Sequence, residues 1–317
     1  MSQIKAANLK IISYMMLNFL SSCGIIWANK LAYQAGFTYA TTLTCLHFLA
    51  TFVGLEISAH LGLFEKRKLR ISSVLPISFF FCGFVVLNNL SLKFNPVGVY
   101  QLLKVMTTPV IVALQFLLYR ATLPLSQAVS LIPVCVGVSL ATAANFDANA
   151  RGLVYGVAAI VSTSVYQIMV KSVQEKLKCG PEQLLYYQSG VSGLMLMFAC
   201  PIADGWFKYD PSEVSHRFLE ILGSISKSAW FYVVLSSALA FIVNLSIFLV
   251  IRNTSPVTYN VLGHGKLVVL LLSGYLLFGE HLGAKHLTGI TLTVCGIVWY
   301  SHLKLRDSSG MKNKKSL

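Results

Sequence analysis

Thr258-Tyr259-Asn260-Val261-Leu262-Gly263-His264-Gly265-Lys266 stands inside an apolar run from Pro256 to Gly279. Tyr100-Gln101-Leu102-Leu103-Lys104, followed by Thr107-Thr108-Pro109, stands inside a second run from Pro96 to Tyr119. Both runs have the length of a helix that crosses a bilayer, which needs about 20 apolar residues. Each carries one lysine deep inside, where an insertion scale sets the cost at roughly +2.5 to +3.5 kcal/mol. A charge is usually kept at that cost because it faces a cavity and acts there. Both lysines are therefore expected to be buried mid-segment and to form a central site for an anion.

Composition agrees. The 317 residues are 56% hydrophobic and 11% charged, with a mean hydropathy of +0.69, whereas soluble domains carry about 25% charged residues. Ten spans are expected, at roughly 9–29, 38–60, 72–92, 96–119, 124–144, 152–171, 182–203, 229–251, 256–279 and 285–303. Pro96, Pro124, Pro181 and Pro256 stand at or just before segment starts, where a missing N–H costs nothing. Pro76, Pro109 and Pro133 lie inside segments and predict kinks. The fold class expected is an all-α membrane protein, ten transmembrane helices arranged as two inverted five-helix repeats. A cytosolic N-terminus at 1–8 precedes the transporter domain at 9–303, with halves at about 9–144 and 152–303, and a basic cytosolic tail follows at 304–317. The long loop from Asp204 to Lys227 is open to two readings. One is a solvated loop, and the other a short interfacial helix over Ser212–Gly223.

An even number of spans puts both termini on one side. With that side taken as cytosol, 16 of the 25 Lys and Arg fall there and 7 opposite, and the last two are Lys104 and Lys266. Such a bias sets topology. It accounts for the net charge of +14 better than a nucleic-acid partner does, since no basic-aromatic patch of the usual kind is present. The seven cysteines show neither metal-ligand spacing nor a disulfide framework and read as packing residues. No A-x-A-type cleavage site follows the first apolar run, which reads as the first span.

The chain repeats itself. An offset of 141 carries Ser21, Ser22 and Lys30 onto Ser162, Thr163 and Lys171. An offset of 155 carries Asn89-Leu90-Ser91 onto Asn244-Leu245-Ser246, and an offset of 160 carries Pro96-Val97 onto Pro256-Val257 and Val134-Cys135 onto Val294-Cys295. Five spans is an odd number, so the second half enters the membrane inverted. That is a common build for secondary transporters with a midplane site and alternating access. Lys104 and Lys266 occupy near-matching places in the two halves.

Tyr100, Lys104, Thr107 and Thr108 recur at helical spacing and make one face polar. Tyr259, Asn260 and Gly263 lie within two turns of Lys266, and Gly263 and Gly265 leave room for a ligand or a helix to approach. Two ammonium groups suit a ligand with about two negative charges, a diphosphate or a phosphate ester. The competing accounts are weaker. Lys104 is too far from a span end to snorkel easily, and Glu56, the only acid well inside a span, lies near its end. Lys30 and Lys171 end their segments and read as interface anchors. His47 reads as a hydrogen-bonded packing residue, with a proton site as the alternative. Asn88, Asn89 and Asn244 stay open between bonding neighbouring helices and bonding a nucleobase or sugar. The candidate substrate contacts are thus Lys104, Lys266, Tyr100, Tyr259, Asn260, Gly263, Asn89 and Thr107. No HExxH, P-loop, GxSxG or carboxylate pair is present, so neither an enzyme nor a cofactor or metal is expected. Lys314-Lys315-Ser316-Leu317 fits the dilysine pattern that a coat complex reads to return membrane proteins to the endoplasmic reticulum.

The motif around Lys104 through Val110, and the stretch from Asn253 to Lys266, resemble the nucleotide-sugar and triose-phosphate transporter family. This is solute carrier family 35 in the drug/metabolite transporter superfamily. Phe81-Cys82-Gly83-Phe84 and Leu184-Leu185-Tyr186-Tyr187-Gln188 resemble its E subgroup, and plant Golgi transporters for UDP-rhamnose and UDP-galactose are similar too. The resemblance implies ten helices in two inverted halves. It also implies exchange of a cytosolic nucleotide sugar for a lumenal nucleoside monophosphate, in the Golgi or endoplasmic reticulum, with both termini cytosolic. It places Lys104 on the fourth-helix lysine that contacts substrate phosphate in triose-phosphate translocators, and Lys266 on their ninth-helix lysine. Those translocators follow the second lysine with arginine; here Leu267 follows, which argues against simple phosphorylated sugars. The GDP-mannose branch carries Gly-Ala-Leu-Asn where this chain has Gly263-His264-Gly265-Lys266, so a UDP-sugar is favoured. An exchanger of phosphorylated metabolites and a membrane adaptor without a transport cycle remain the alternatives. Partners beyond the substrates are membrane lipids and the coat complex, with a homodimer left open.

Overall fold

The computed structural model describes residues 2–95, 97–142, 149–205, 223, 225–278 and 283–313. Among them the chain is helices and short connections, with no strand. The helices are α1 (Ser2–Gln34), α2 (Ala40–His60), α3 (Ile71–Phe94), α4 (Val97–Val105), α5 (Thr107–Tyr119), α6 (Leu125–Thr142), α7 (Ala150–Leu177), α8 (Pro181–Ala203), α9 (Lys227–Asn253), α10 (Pro256–Phe278) and α11 (Ala284–Asn313). Among the described residues, five helices are long and apolar enough to cross a membrane: α1, α2, α3, α7 and α9.

Local chemistry sets the helix ends. Pro181 and Pro256 open α8 and α10, and Pro124 stands directly before α6. Ser226 caps α9, its hydroxyl accepting from the Ala229 N–H at 3.1 Å. Helix α5 ends on Arg120 in the left-handed region, with the Ala121 N–H returning to the Gln115 carbonyl at 3.2 Å. The N-terminal segment and most of the basic tail are helical as well, since α1 begins at Ser2 and α11 runs to Asn313. The Ser212–Gly223 stretch lies, save its last residue, outside the described residues, as do Lys314 and Lys315.

One expected span is two helices. The run from Pro96 to Tyr119 breaks at Met106, between α4 and α5. Pro109 has no N–H to give the Val105 carbonyl, and its ring crowds that carbonyl. The chain responds by tightening: the Met106 N–H turns to the Leu103 carbonyl at 3.1 Å. Helices α3 and α6 run on through Pro76 and Pro133 without such a break.

The chain forms two compact units. The first is residues 1–90 and 165–255, the second 91–164 and 256–317. Each draws on both sequence halves rather than on one. In the first unit, α1 packs along α9 and α2 packs against α8 and α9. Phe37, Leu43 and Val233 lie in its core, and Phe81 packs against Phe48 and Tyr166 with ring centroids 4.1 and 5.3 Å away. Buried polar bonds join its helices: Asn18 to Ser246 at 2.9 Å, His47 to Ser236 at 3.0 Å, and Asn244 to Thr51 at 2.9 Å. Such bonds hold helices together where burial of apolar surface gives no drive. In the second unit α6 packs on α11 so closely that Gly137 and Gly289 leave no room for a side chain, Gly137 facing the Thr293 backbone and Gly289 that of Ala141. Ala141, Val268 and Ile290 lie in its core.

Candidate functional site

Both lysines lie in the second unit, Lys104 on α4 and Lys266 on α10. Their surroundings differ. Lys266 is 7% exposed, as expected. Lys104 is exposed, contrary to the expectation of burial. The break at Met106 explains it. Lys104 sits in the last turn of a nine-residue helix rather than in the middle of a long packed one. A cation is electrostatically favoured there, at the negative end of the helix dipole. Each ammonium also has a tyrosine on its own helix: Lys104 Nζ is 5.0 Å from the Tyr100 ring centroid, and Lys266 Nζ is 5.3 Å from that of Tyr259.

The two segments meet through a pair not picked out as site residues from the sequence. Thr108 Oγ1 lies 3.0 Å from His264 Nε2. Both side chains are buried, Thr108 completely. Thr108 is one turn on from Lys104, and His264 is two residues before Lys266. The signal for Thr108 was present in the polar face it shares with Lys104. His264 carried no such signal, because its partner is 156 positions away in the chain.

The other candidates divide. Tyr100 and Tyr259 are half-buried beside their lysines. Thr107 is buried in the first turn of α5. The Asn260 amide donates to the Pro256 carbonyl at 2.9 Å. A side chain added at Gly263 would meet open space, so the backbone there is approachable. Asn89 lies in the first unit, where its amide donates to Thr41 Oγ1 at 3.1 Å. Asn88 bonds its own helix at the Phe84 carbonyl. Among the anchors, Lys30 lies over the Trp27 ring and Lys171 donates to the Thr254 carbonyl at 2.8 Å, at the end of α9.

Chemically, the second unit offers two cations on adjoining segments, hydroxyl and ring groups around them, and a helix broken beside one of them. Broken helices within a span are how transporters present charge and free backbone groups to a substrate. Among the described residues no cluster of His, Cys, Asp or Glu is arranged to hold a metal.

Comparison with known proteins gives a consistent result. The Triose-phosphate Transporter family matches residues 9–301. UDP-xylose transporter 2 of Arabidopsis thaliana is 35% identical, the match covering 95% of this chain and 84% of that protein. UDP-rhamnose/UDP-galactose transporter 2 of the same plant is 32% identical, covering 90% and 80%. A protein crystal structure matches with a TM-score of 0.66 over 94% of this chain and 98% of that one; at 16% identity the likeness speaks for fold alone.

Proposed function

We propose, from the premise that the chain belongs to the Triose-phosphate Transporter family, that it exchanges a UDP-sugar for a nucleoside monophosphate across an endomembrane. The coarser part follows from family and relatives: a multi-pass nucleotide-sugar transporter of the drug/metabolite transporter superfamily, and not an enzyme. The observation that carries the finer reading is Lys266, a buried cation whose segment touches that of Lys104 through His264 and Thr108. In this reading the two ammonium groups take the diphosphate, and Tyr100, Tyr259, Asn260 and the open face at Gly263 receive the nucleoside or sugar. Leu267, in place of a third cation, favours a diphosphate ester over small sugar phosphates. The names of the relatives put UDP-xylose first among the sugars to test.

Exchange rather than one-way flow follows from the charge. An empty site with unneutralised cations is costly to carry through the hydrocarbon, and a bound anion lowers that cost.

The ten-span inverted repeat is supported by a paired set of bonds in the first unit. Asp204, just past the end of α8, accepts from the Thr41 and Thr42 N–H groups at 3.0 and 2.7 Å, and from the Thr42 hydroxyl. Glu56, near the end of α2, accepts from the Tyr186 hydroxyl at 2.6 Å, near the start of α8. The two ties swap places when α2 and α8 exchange roles: Thr42 and Tyr186 are 144 positions apart, Glu56 and Asp204 148. Those offsets fall between the 141 and 155 of the flanking sequence matches.

The test is uptake into vesicles reconstituted with the purified protein. Preloading with UMP is expected to accelerate uptake of labelled UDP-xylose, UDP-galactose or UDP-rhamnose severalfold over empty vesicles. Equal rates with and without UMP, GMP or CMP inside would overturn the exchange reading.

A further inference from the structure

We propose that His264 is a positioning residue. Its bond to Thr108 fixes the broken segment that carries Lys104 against α10, and so sets how the two ammonium groups meet a diphosphate. The proposal rests on the reading of Lys104 and Lys266 as phosphate ligands, and extends it to two residues that need not touch the substrate.

The need for such a device comes from the break. In an unbroken helix, backbone bonds from residue i to i−4 hold each turn on the next. At Met106 that ladder is interrupted: its N–H reaches back three residues to Leu103 rather than four. Lys104, exposed at the end of α4, lies over the Tyr100 ring of its own helix, and α4 itself packs on α6. Its place relative to Lys266 must be set from outside α4. Thr108 supplies a direct link to α10. It is completely buried in the first turn of α5, and its hydroxyl sits 3.0 Å from the imidazole of His264, itself 7% exposed. A hydroxyl and a neutral imidazole each have a donor and an acceptor, so either tautomer makes the bond. An interhelical hydrogen bond away from water has no solvent competitor, and losing one partner leaves the other buried and unpaired.

The chemistry of the ligand makes the consequence selective. A diphosphate bridges two cations and is sensitive to the distance between them. A monophosphate has one phosphorus centre and tolerates a change in that distance better. Loosening the link should therefore weaken the UDP-sugar more than UMP, while leaving both charges in place.

The experiment compares apparent KM for UDP-xylose uptake and for UMP efflux in the full-length protein reconstituted in vesicles. Four single variants are measured, together with the Thr108→Val/His264→Phe double variant. Thr108→Val and His264→Phe keep size and remove the bond. Thr108→Ser and His264→Gln keep a hydrogen-bonding group in reach. The bond-breaking variants are expected to raise KM for UDP-xylose roughly tenfold and that for UMP less than about threefold, with maximal rate little changed, as loss of one buried hydrogen bond would do. The conservative variants should recover most of the loss. The double variant should be no worse than either single one, as for two ends of one interaction. Equal weakening of both ligands, no weakening of either, or additive losses in the double variant would overturn the positioning role. Should Thr108→Val prove too unstable to reconstitute, the His264→Phe and His264→Gln pair decides the same question. Lys266→Met separates this inference from its premise. If it leaves exchange intact, the phosphate site itself is misplaced. If it abolishes exchange while His264→Phe behaves as wild type, only the positioning role is lost.

Discussion

Lys266 and Lys104 occupy near-matching places in the two halves of the sequence, yet one is packed and the other open. A buried lysine that served structure alone would be expected to destabilise the fold when removed. One kept for a ligand should not, because its desolvation cost disappears with it. Lys266→Met is therefore expected to abolish exchange while the melting temperature of the detergent-purified protein stays level or rises. A large drop in melting temperature would assign Lys266 to structure instead. A second residue prediction concerns Cys179, in the turn between α7 and α8. Burial is the main cause that raises its thiol above the ordinary value of 9.0. Thiolate is the reactive form, so raising pH from 7 to 8 should leave Cys179 slow to alkylate in the folded protein, and unfolding should release it, as read by mass spectrometry. Both lysines were legible as anomalies of composition. The Thr108–His264 contact was not, because no local pattern reports on a bond across 156 positions.

At the level of elements, apolar length and proline placement pointed to helices, and among the described residues Pro109 marked an expected span that divides. The sequence suggested a kink there. The structure has a break at Met106, because the missing N–H and the crowded Val105 carbonyl act three to four residues upstream of the proline. The pairing of α2 with α8 was foreshadowed only by weak offsets, since the residues that tie them are ordinary: two carboxylates, two threonines and a tyrosine. Asp204 does for α2 what a local cap would do. Tyr39, the residue before that helix, makes no capping bond through its side chain, and Asp204 takes the free N–H groups from the end of another helix. Asp204→Ala is thus expected to lower stability by about 1–3 kcal/mol, measured as a shift in the unfolding transition. Thr42→Val should show a smaller loss, because the backbone bonds remain. An unchanged transition in Asp204→Ala would remove this tie from the account.

Over the whole molecule, the two sequence halves and the two compact units divide the chain differently. The halves expected from the sequence are continuous, at about 9–144 and 152–303, whereas each compact unit takes helices from both stretches. That interleaving is invisible to composition, because it depends on which helix packs on which. The address of the protein is a separate matter, and the Lys314-Lys315-Ser316-Leu317 stretch is proposed to carry it. Replacing Lys314 and Lys315 by serine is expected to move the protein from the endoplasmic reticulum toward the Golgi, seen by fluorescence microscopy of cells expressing it; an unchanged distribution would mean that the tail is no retrieval signal. The central claim is narrower than either: a UDP-sugar is held through its phosphates by Lys104 and Lys266. A thermal-shift titration with UDP-xylose, UDP and UMP tests it most directly, on wild type and on Lys104→Met and Lys266→Met. The account predicts saturable stabilisation of the wild type that is largely lost in each variant. Stabilisation of the variants equal to that of the wild type, at the same ligand concentrations, would contradict it.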